Sequence, residues 1–426
     1  MNKKVYVCGG GTFNFVRNHL ALSAPAFGKT ANQLYELSQA KFKDMDIHLV
    51  LTKMADQKSE LVSNSDVSSW VDQIVNDNAT KIVFFSFAMT DYDGQIGETT
   101  SGKYADRLIS REGKQVLDLT PAEKVLGKIR KTRKDIFLVG FKTTCNDSDE
   151  AMFTKGLALM KKNSCNLVLV NDTARKRNMI ITPEESTYAV TDDREKALTE
   201  LVDMAFLRSH LSFTRSTVVD GKPVDWNSPE VYPSLRKVVN FCIAEGAYKI
   251  FNGSTVGHFA CKLNENTFLT SIRKTNFNDI HKNGLVKVVT DGEDSVIAYG
   301  AKPSVGGQSQ RLIFNQHPEF DCIVHFHCPL KDDHKHEIPV VSQREYECGS
   351  HQCGENTSKG LGIFNNGQIA CVMLDNHGPN IVFNHDIDPE DVIQFIHDNF
   401  NLHHKTVGFS HEKIFDHFPI EEQIIN

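Results

Sequence analysis

Five short apolar runs dominate the first half of this chain and restrict it to few folds. They are Lys4–Cys8, Asp46–Leu51, Lys81–Phe87, Asp135–Phe141 and Asn166–Val170. Runs of this length, bounded by turn residues, suit strands buried on both faces. Between them, Asp66–Asn76 and Ser148–Lys162 have the spacing of amphipathic helices. Thr120-Pro121-Ala122-Glu123 reads as a capping box with proline at the first helical position, which predicts a helix through about Arg130. Strand and helix alternating over residues 1–212 predict a mostly parallel, doubly wound sheet. Ligands of such sheets bind beyond the carboxyl ends of the strands. Those ends carry Gly9-Gly10-Gly11-Thr12, Thr90-Asp91-Tyr92, Gly140-Phe141-Lys142 and Asn171-Asp172. The glycine run is either a tight turn or a point where backbone amides meet phosphate.

The second half follows another pattern. A polar interval from Arg215 through Gly221-Lys222-Pro223 to Ser228-Pro229-Glu230 is expected to link two domains, giving boundaries of 1–212, 213–228 for the linker and 229–426. A helix is predicted near Val231–Glu245, followed by closely spaced strands. Fifteen of the 18 histidines lie after residue 213, so imidazole or metal chemistry belongs here. Asp321–Cys328 reads as a strand, on which His325 and His327 project from one face. A third histidine closes the apolar strand Ala370-Cys371-Val372-Met373-Leu374 in Asp375-Asn376-His377-Gly378. Three histidines on adjacent strands can hold a divalent metal and leave one coordination position for substrate. The alternative is a set of hydrogen-bonded core histidines.

Composition removes several classes. Forty per cent hydrophobic and 24% charged residues are ordinary for a globular chain. A net charge of -7 lacks the basic excess of a nucleic-acid binder. No apolar stretch is long enough to span a membrane. The first residues enter a strand directly and lack a signal-peptide core, and cysteines such as Cys8, Cys322 and Cys371 sit inside apolar strands. A cytoplasmic protein with buried free thiols is therefore expected. Cys348 and Cys353 have no second pair to complete a metal site and read as structural. Lys331-Asp332-Asp333-His334-Lys335-His336 has no apolar backing and reads as a solvated loop.

Over residues 4–210 the chain resembles phosphopantothenoylcysteine synthetase. The matching features are Gly10-Gly11-Thr12, Val16-Arg17 with Ser23 and Gly28, Ala88-Met89-Thr90-Asp91-Tyr92, Lys103, Leu138-Val139-Gly140-Phe141-Lys142 and Leu167–Asp172. The resemblance implies a Rossmann-like fold that binds CTP or ATP with magnesium, activates a carboxylate as an acyl-nucleotide and couples it to an amine. It assigns nucleotide contacts to Gly9, Gly10, Gly11, Asp91, Lys103, Phe141, Lys142, Asn171 and Asp172. The family's acyl-nucleotide-contacting asparagine is Ala21 here, and the loop between Thr12 and Val16 is shorter.

Residues 229–426 resemble the class II aldolase/adducin family. The resemblance runs through Glu245-Gly246, Gly257-His258, Thr270-Ser271, Lys302-Pro303-Ser304, Leu312–Phe314, His325-Phe326-His327, Gly349-Ser350 and Leu374–Gly378. It implies an α/β domain in which His325, His327 and His377 ligate zinc or another divalent metal. Such a metal stabilises the enediolate formed when a ketose-like substrate is cleaved or dehydrated. Ser271, Arg273 and Ser304 are the expected substrate contacts, and the family's oligomers imply a homo-oligomer, dimer or tetramer. Where the family aldolases carry an acid/base glutamate this chain has Gly306. The substitutes that the sequence offers are Glu345, Glu347, His258 and His351.

These readings converge on a bifunctional metabolic enzyme acting on small molecules, a metal-dependent lyase fused to a nucleotide-dependent ligase. Ala21 and Gly306 keep open a non-catalytic binding or scaffold protein of adducin-like type.

Overall fold

The computed structural model describes residues 3–251, 253–292 and 295–405. The chain divides into two compact units. One is built from residues up to Thr182 and from Ala189–Ser209; the other takes in Pro183–Tyr188 and continues from His210.

The first unit contains strands β1 (Lys4–Gly11), β2 (Phe13–Arg17), β3 (Leu20–Ser23), β4 (Asp46–Leu51), β5 (Thr80–Ala88), β6 (Tyr92–Gln95), β7 (Asp118–Pro121), β8 (Phe137–Thr144), β9 (Leu167–Asp172), β10 (Asn178–Ile181) and β11 (Thr187–Thr191). Its helices are α1 (Lys29–Lys41), α2 (Asn64–Asn76), α3 (Leu126–Thr132), α4 (Asp149–Asn163) and α5 (Arg194–Arg208). The main sheet has the order β11-β10-β9-β8-β5-β1-β4. Its pairings from β9 through β4 are parallel, and β10 runs antiparallel to β9. Strand order reverses at β1, whose neighbours β4 and β5 both follow it in sequence. The carboxyl ends of β1 and β5 therefore flank a topological switch point, where doubly wound sheets bind ligands. Each of the five apolar runs forms a sheet strand, within a few residues of the predicted bounds.

The capping box at Thr120–Glu123 does not start a helix. Thr120 and Pro121 end β7, paired with Asp93 and Tyr92 of β6, and α3 begins only at Leu126. The box lacked an apolar periodic run directly behind it, and hairpin pairing took those residues instead.

The second unit contains β12 (Arg215–Val219), α6 (Pro233–Ala244), the short strands β13 (Ile250–Phe251) and β14 (Ser254–Thr255), β15 (His258–Asn264), β16 (Thr267–Ser271), α7 (Ile280–Asn283), β17 (Leu285–Thr290), β18 (Ser295–Tyr299) and α8 (Val305–Gln316). These are followed by β19 (Cys322–His325), β20 (Val340–Val341), α9 (His351–Leu361), β21 (Ile369–Leu374), β22 (Gly378–Phe383) and α10 (Pro389–Asn399). Nine strands form one sheet in the order β12-β18-β17-β16-β15-β19-β22-β21-β20. Alternation along the central strands gives each face its own core. Cys322, Val324, Ile381 and Phe383 join Leu235 and Val239 of α6 and Ile396 of α10. Ile323, Ala260 and Val382 join Ile313 and Phe314 of α8 and Leu361 of α9.

The interval 213–228, expected as a linker, contributes to this unit. β12 adds a parallel edge strand beside β18, Val224 bridges Leu285, and Trp226 is fully buried. Its polar composition hid one large anchor. No helix among the described residues is long and apolar enough to cross a membrane.

Candidate functional site

β19 lies between β15 and β22, and its last residue is His325. Its predicted continuation to Cys328 leaves the sheet, yet His327 stays beside His325, with ring centroids 5.1 Å apart. On the other side a turn at Asp375–His377 leads into β22, and the His377 amide donates to the Leu374 carbonyl at 3.0 Å. Gly378 makes this approach feasible. A Cβ there would stand 2.1 Å from the Phe326 carbonyl oxygen and 3.1 Å from the His327 Cα. Only hydrogen fits between these two backbones.

The three rings meet through their Nε2 atoms. His377 Nε2 is 3.3 Å from His325 Nε2 and 3.1 Å from His327 Nε2. His325 Nδ1 lies 2.7 Å from the Pro379 carbonyl. A carbonyl can only accept, so Nδ1 carries the proton and Nε2 presents a lone pair. Burial, with the neighbouring His377, His258 and His327, pushes the His325 pKa well below its ordinary value, so the ring remains a neutral ligand. Two nitrogens bound tetrahedrally at zinc distances lie about 3.3 Å apart. The observed separations therefore fit a shared cation. Among the described residues this is the one group of three or more His, Cys, Asp or Glu side chains gathered closely enough to hold an ion.

No predicted acid/base residue joins that group. His258 pairs with His325 across β15 and β19, and its ring lies 4.8 Å from the His325 ring. Its Nδ1 is bonded to the Gln310 side chain. Burial, with His327 nearby, takes the His258 pKa down to about 3, too low for proton transfer near neutrality. His351 Nε2 is engaged by Thr214 Oγ1 at 2.7 Å, Glu345 is exposed, and Glu347 lies half-buried in the turn before α9. His334 and His336 form no cluster; His336 packs against Phe364 and Phe395.

The predicted substrate contacts do come together. Ser304 N donates to the Ser271 carbonyl at 3.1 Å, Arg273 N donates to the Lys302 carbonyl at 2.9 Å, and Ile272 bridges Pro303. Ser304 is the N-cap of α8, with no side-chain cap bond. Ser271 Oγ is buried and has no partner among the described residues. Burial lowers the pKa of the half-buried Arg273. Ala260 pairs with Thr270, and His258 with His325. The end of β16 is thus two strand spacings, about 10 Å, from β19 on the same sheet edge.

In the first unit the predicted contacts fall at the carboxyl ends of several strands. Gly9, Gly10 and Gly11 are the last residues of β1, in the strand itself. Gly11 N donates to the Ala26 carbonyl at 2.8 Å, and a Cβ on Gly11 would sit 1.9 Å from the Ala24 carbonyl oxygen. Close packing of the chain against itself requires these glycines. Asp172 also serves the fold. Its carboxylate accepts from Thr144 Oγ1 (2.8 Å) and from the amides of Asn146 (3.0 Å), Asp147 (2.9 Å), Ala174 (3.1 Å) and Arg175 (2.8 Å). Burial by itself would raise its pKa, but these donors hold it well below the usual carboxylate range. Asp91 is exposed and paired with Lys124. Phe141, Lys142 and Asn171 lie half-buried near the carboxyl ends of β8 and β9.

Beside the switch point is a cavity of about 610 Å³. Phe13, Phe15, Ser63, Asn64 and Glu123 line it, together with Lys103, the one predicted contact that reaches it. Asn64 ties the wall to the switch point: its Oδ1 accepts from Thr12 Oγ1 at 2.7 Å, and its Nδ2 donates to the Thr90 carbonyl at 2.9 Å. Sequence reasoning missed this wall. The available signal was Ser63-x-x-Asp66, which caps α2 reciprocally and so orients Asn64.

Residues 1–205 match the family model described as the DNA/pantothenate metabolism flavoprotein C-terminal domain. Residues 237–388 match that of the class II aldolase and adducin N-terminal domain. Among solved structures, the DNA/pantothenate metabolism flavoprotein of Streptococcus pneumoniae is 16% identical, with a TM-score of 0.40, over 48% of this chain and 99% of that one. YgbL of Escherichia coli is 18% identical, with a TM-score of 0.29, over 38% of this chain and 84% of that one. An L-fuculose 1-phosphate aldolase is 13% identical, with a TM-score of 0.28, over 38% and 81%. Comparison with curated proteins gives no match.

Proposed function

We infer, from a chain that joins a phosphopantothenoylcysteine synthetase-like domain (residues 1–205) to a class II aldolase/adducin domain (residues 237–388), that the protein is a bifunctional metabolic enzyme. Its second domain acts as a divalent-metal lyase of aldolase type on a small, anionic, sugar-derived carbonyl compound. The convergence of the His325, His327 and His377 Nε2 atoms carries this reading. Those three residues would hold the ion, zinc being well suited to imidazole. When bound, the ion supplies Lewis-acid stabilisation of negative charge at a carbonyl oxygen. The chain does the rest. Pro379 fixes the His325 tautomer, while Gly378 keeps the two histidine-bearing segments in register. Arg273, Ser271 Oγ and the α8 N-terminus receive the substrate's anionic end.

The test is release of an aldehyde or ketone from a panel of phosphorylated ketoses and their unphosphorylated counterparts, with zinc supplied. Turnover should require the charged group. Arg273→Ala should raise KM by about 10- to 100-fold, the worth of a charge-assisted hydrogen bond, with a smaller change in kcat. Equal turnover of charged and uncharged substrates would sink the anion site.

The first domain is proposed to bind CTP or ATP with magnesium and to join a carboxylate to an amine. The switch-point cavity and Lys103 support this. CTP or ATP with magnesium should raise the melting temperature by several degrees through linkage, and Lys103→Ala should reduce that rise. No shift with either nucleotide would remove the ligase-like role. Ala21 and Gly306 favour a second reading, binding without turnover, which the two assays separate. We further propose a cytoplasmic homo-oligomer. All ten cysteines are free, as a reducing compartment would leave them.

A further inference from the structure

The switch-point cavity has an acidic wall. Its lining sets the carboxylates of Glu60, Asp66, Asp93 and Glu123 against one ammonium, that of Lys103. Asp66 is occupied by α2, its carboxylate accepting from the amides of Val62 (3.0 Å) and Ser63 (2.8 Å). The helix N-terminus at this wall is thus already met by the chain's own negative charge. Asp93 Oδ1 takes only a neutral donor, Asn14 Nδ2, at 2.5 Å. Glu60, Asp93 and Glu123 are exposed to the cavity, and none of them shares an ion pair among the described residues. A triphosphate would be repelled by these three carboxylates. The nucleotide then meets the cavity at Lys103, and the acidic wall is left to a second reactant.

The other lining groups suit an organic cation. Phe13 and Phe15, two apart on β2, stack with ring centroids 6.0 Å apart and 28° between planes, and both line the cavity. Phenyl faces attract ammonium groups and cover methylene chains. Thr90 is 6% exposed, and its Oγ1 has no partner among the described residues. The Thr90 carbonyl is held by Asn64 of the cavity wall at 2.9 Å, so a hydroxyl able to accept from a donor stands beside the cavity. A bare metal ion fits poorly, because among the described residues these carboxylates are not gathered closely enough to share one. Negative charges spread along a partly aromatic wall match ammonium groups spread along a hydrocarbon chain.

We propose that this cavity binds an aliphatic di- or polyamine, the amine reactant of the first domain. That role, though not the binding itself, rests on the ligase reading. In coupling, a neutral amine at one end of the chain attacks the carbonyl carbon of the acyl-nucleotide. The C–N bond forms, the bond from that carbon to the phosphate oxygen breaks, the nucleoside monophosphate leaves, and the amine proton passes to water. The ammonium at the other end stays on the carboxylates. An amino acid fits less well, because its own carboxylate would meet the same wall.

The experiment is calorimetric titration of the full-length chain, at low ionic strength, with 1,5-diaminopentane and with L-lysine, which differ by one carboxylate. Diaminopentane should fill one saturable site, and L-lysine should bind at least about tenfold more weakly, the worth of one charge-assisted contact. Glu60→Gln/Glu123→Gln should weaken diaminopentane by about tenfold or more. Glu36→Gln, an exposed change on α1, should leave it unchanged. Equal affinity for the two ligands would overturn the proposal, as would a diaminopentane affinity that Glu60→Gln/Glu123→Gln leaves intact. A thermal shift with CTP or ATP but no saturable diaminopentane binding would remove the amine site and leave the ligase reading standing. Diaminopentane binding with no nucleotide shift would keep the site and remove its role as reactant. The wild-type comparison of the two ligands decides the question even if a variant does not fold.

Discussion

Zinc-loaded chain should retain about one equivalent of metal through the histidine cluster after exhaustive buffer exchange, and a His325→Ala/His327→Ala variant should retain none there. This is the largest effect expected of any substitution. The double variant leaves one imidazole where three Nε2 atoms now lie 3.1 and 3.3 Å apart. Even loss of an outer partner that orients a ligand typically costs 10- to 100-fold in affinity, so removing a ligand should exceed about 100-fold. A single His377→Ala change should already show this in competition with a chromophoric chelator. A thermal readout runs in parallel. At a free zinc level of about one hundred times Kd, linkage adds about 2.7 kcal/mol to the wild type, and both variants should lose that gain. If the wild type holds no metal and zinc leaves its melting temperature unchanged, the histidines are core residues and the lyase reading falls.

Gly378→Ala should couple a loss of stability to a loss of metal affinity, although it removes no ligand. The added methyl would meet the Phe326 carbonyl oxygen at 2.1 Å and the carbonyl carbon at 3.0 Å. Both are backbone atoms, so no side-chain rotation relieves the clash. The start of β22 must move off the chain that carries His327, taking His377 with it. Overpacking of this kind costs on the order of 3 kcal/mol, visible as a lower denaturant midpoint. The displaced His377 should weaken zinc binding by about 10- to 100-fold, as other ligand-orientation defects do. Gly362→Ala is the comparison. Its Cβ would come no closer than 3.4 Å to a neighbour, so it should leave both quantities nearly unchanged. Full zinc affinity in Gly378→Ala would show that the close approach of the two segments does not position His377.

Much of this architecture was legible because burial leaves a simple trace. Val83, Leu138, Val168 and their neighbours are fully buried, and such runs have few alternatives to a central strand. His325, His327 and His377 could be singled out because they end two neighbouring apolar runs, although His327 lies beyond β19 and His377 in the turn before β22. What was not legible depends on packing that composition does not record. Ala24 and Ala26 press on Gly11 at the end of β1. The Asp172 carboxylate gathers five donors, from Thr144, Asn146, Asp147, Ala174 and Arg175. Trp226 lay in an interval whose average polarity suggested a linker. The reverse case is Asn64, which looked ordinary and proved to join Thr12 and Thr90 at the switch point.

His325 and His377 are 52 positions apart. The chain between them contains α9, β20 and β21. An ion shared by the two would close that segment into a ring, as a covalent bridge would. Closure of a loop of this size removes about 3–4 kcal/mol of conformational freedom from the unfolded chain. The histidine cluster would thus be a cross-link as well as a reaction centre. Chelation should then loosen the whole α9–β21 segment, well beyond the three imidazoles themselves.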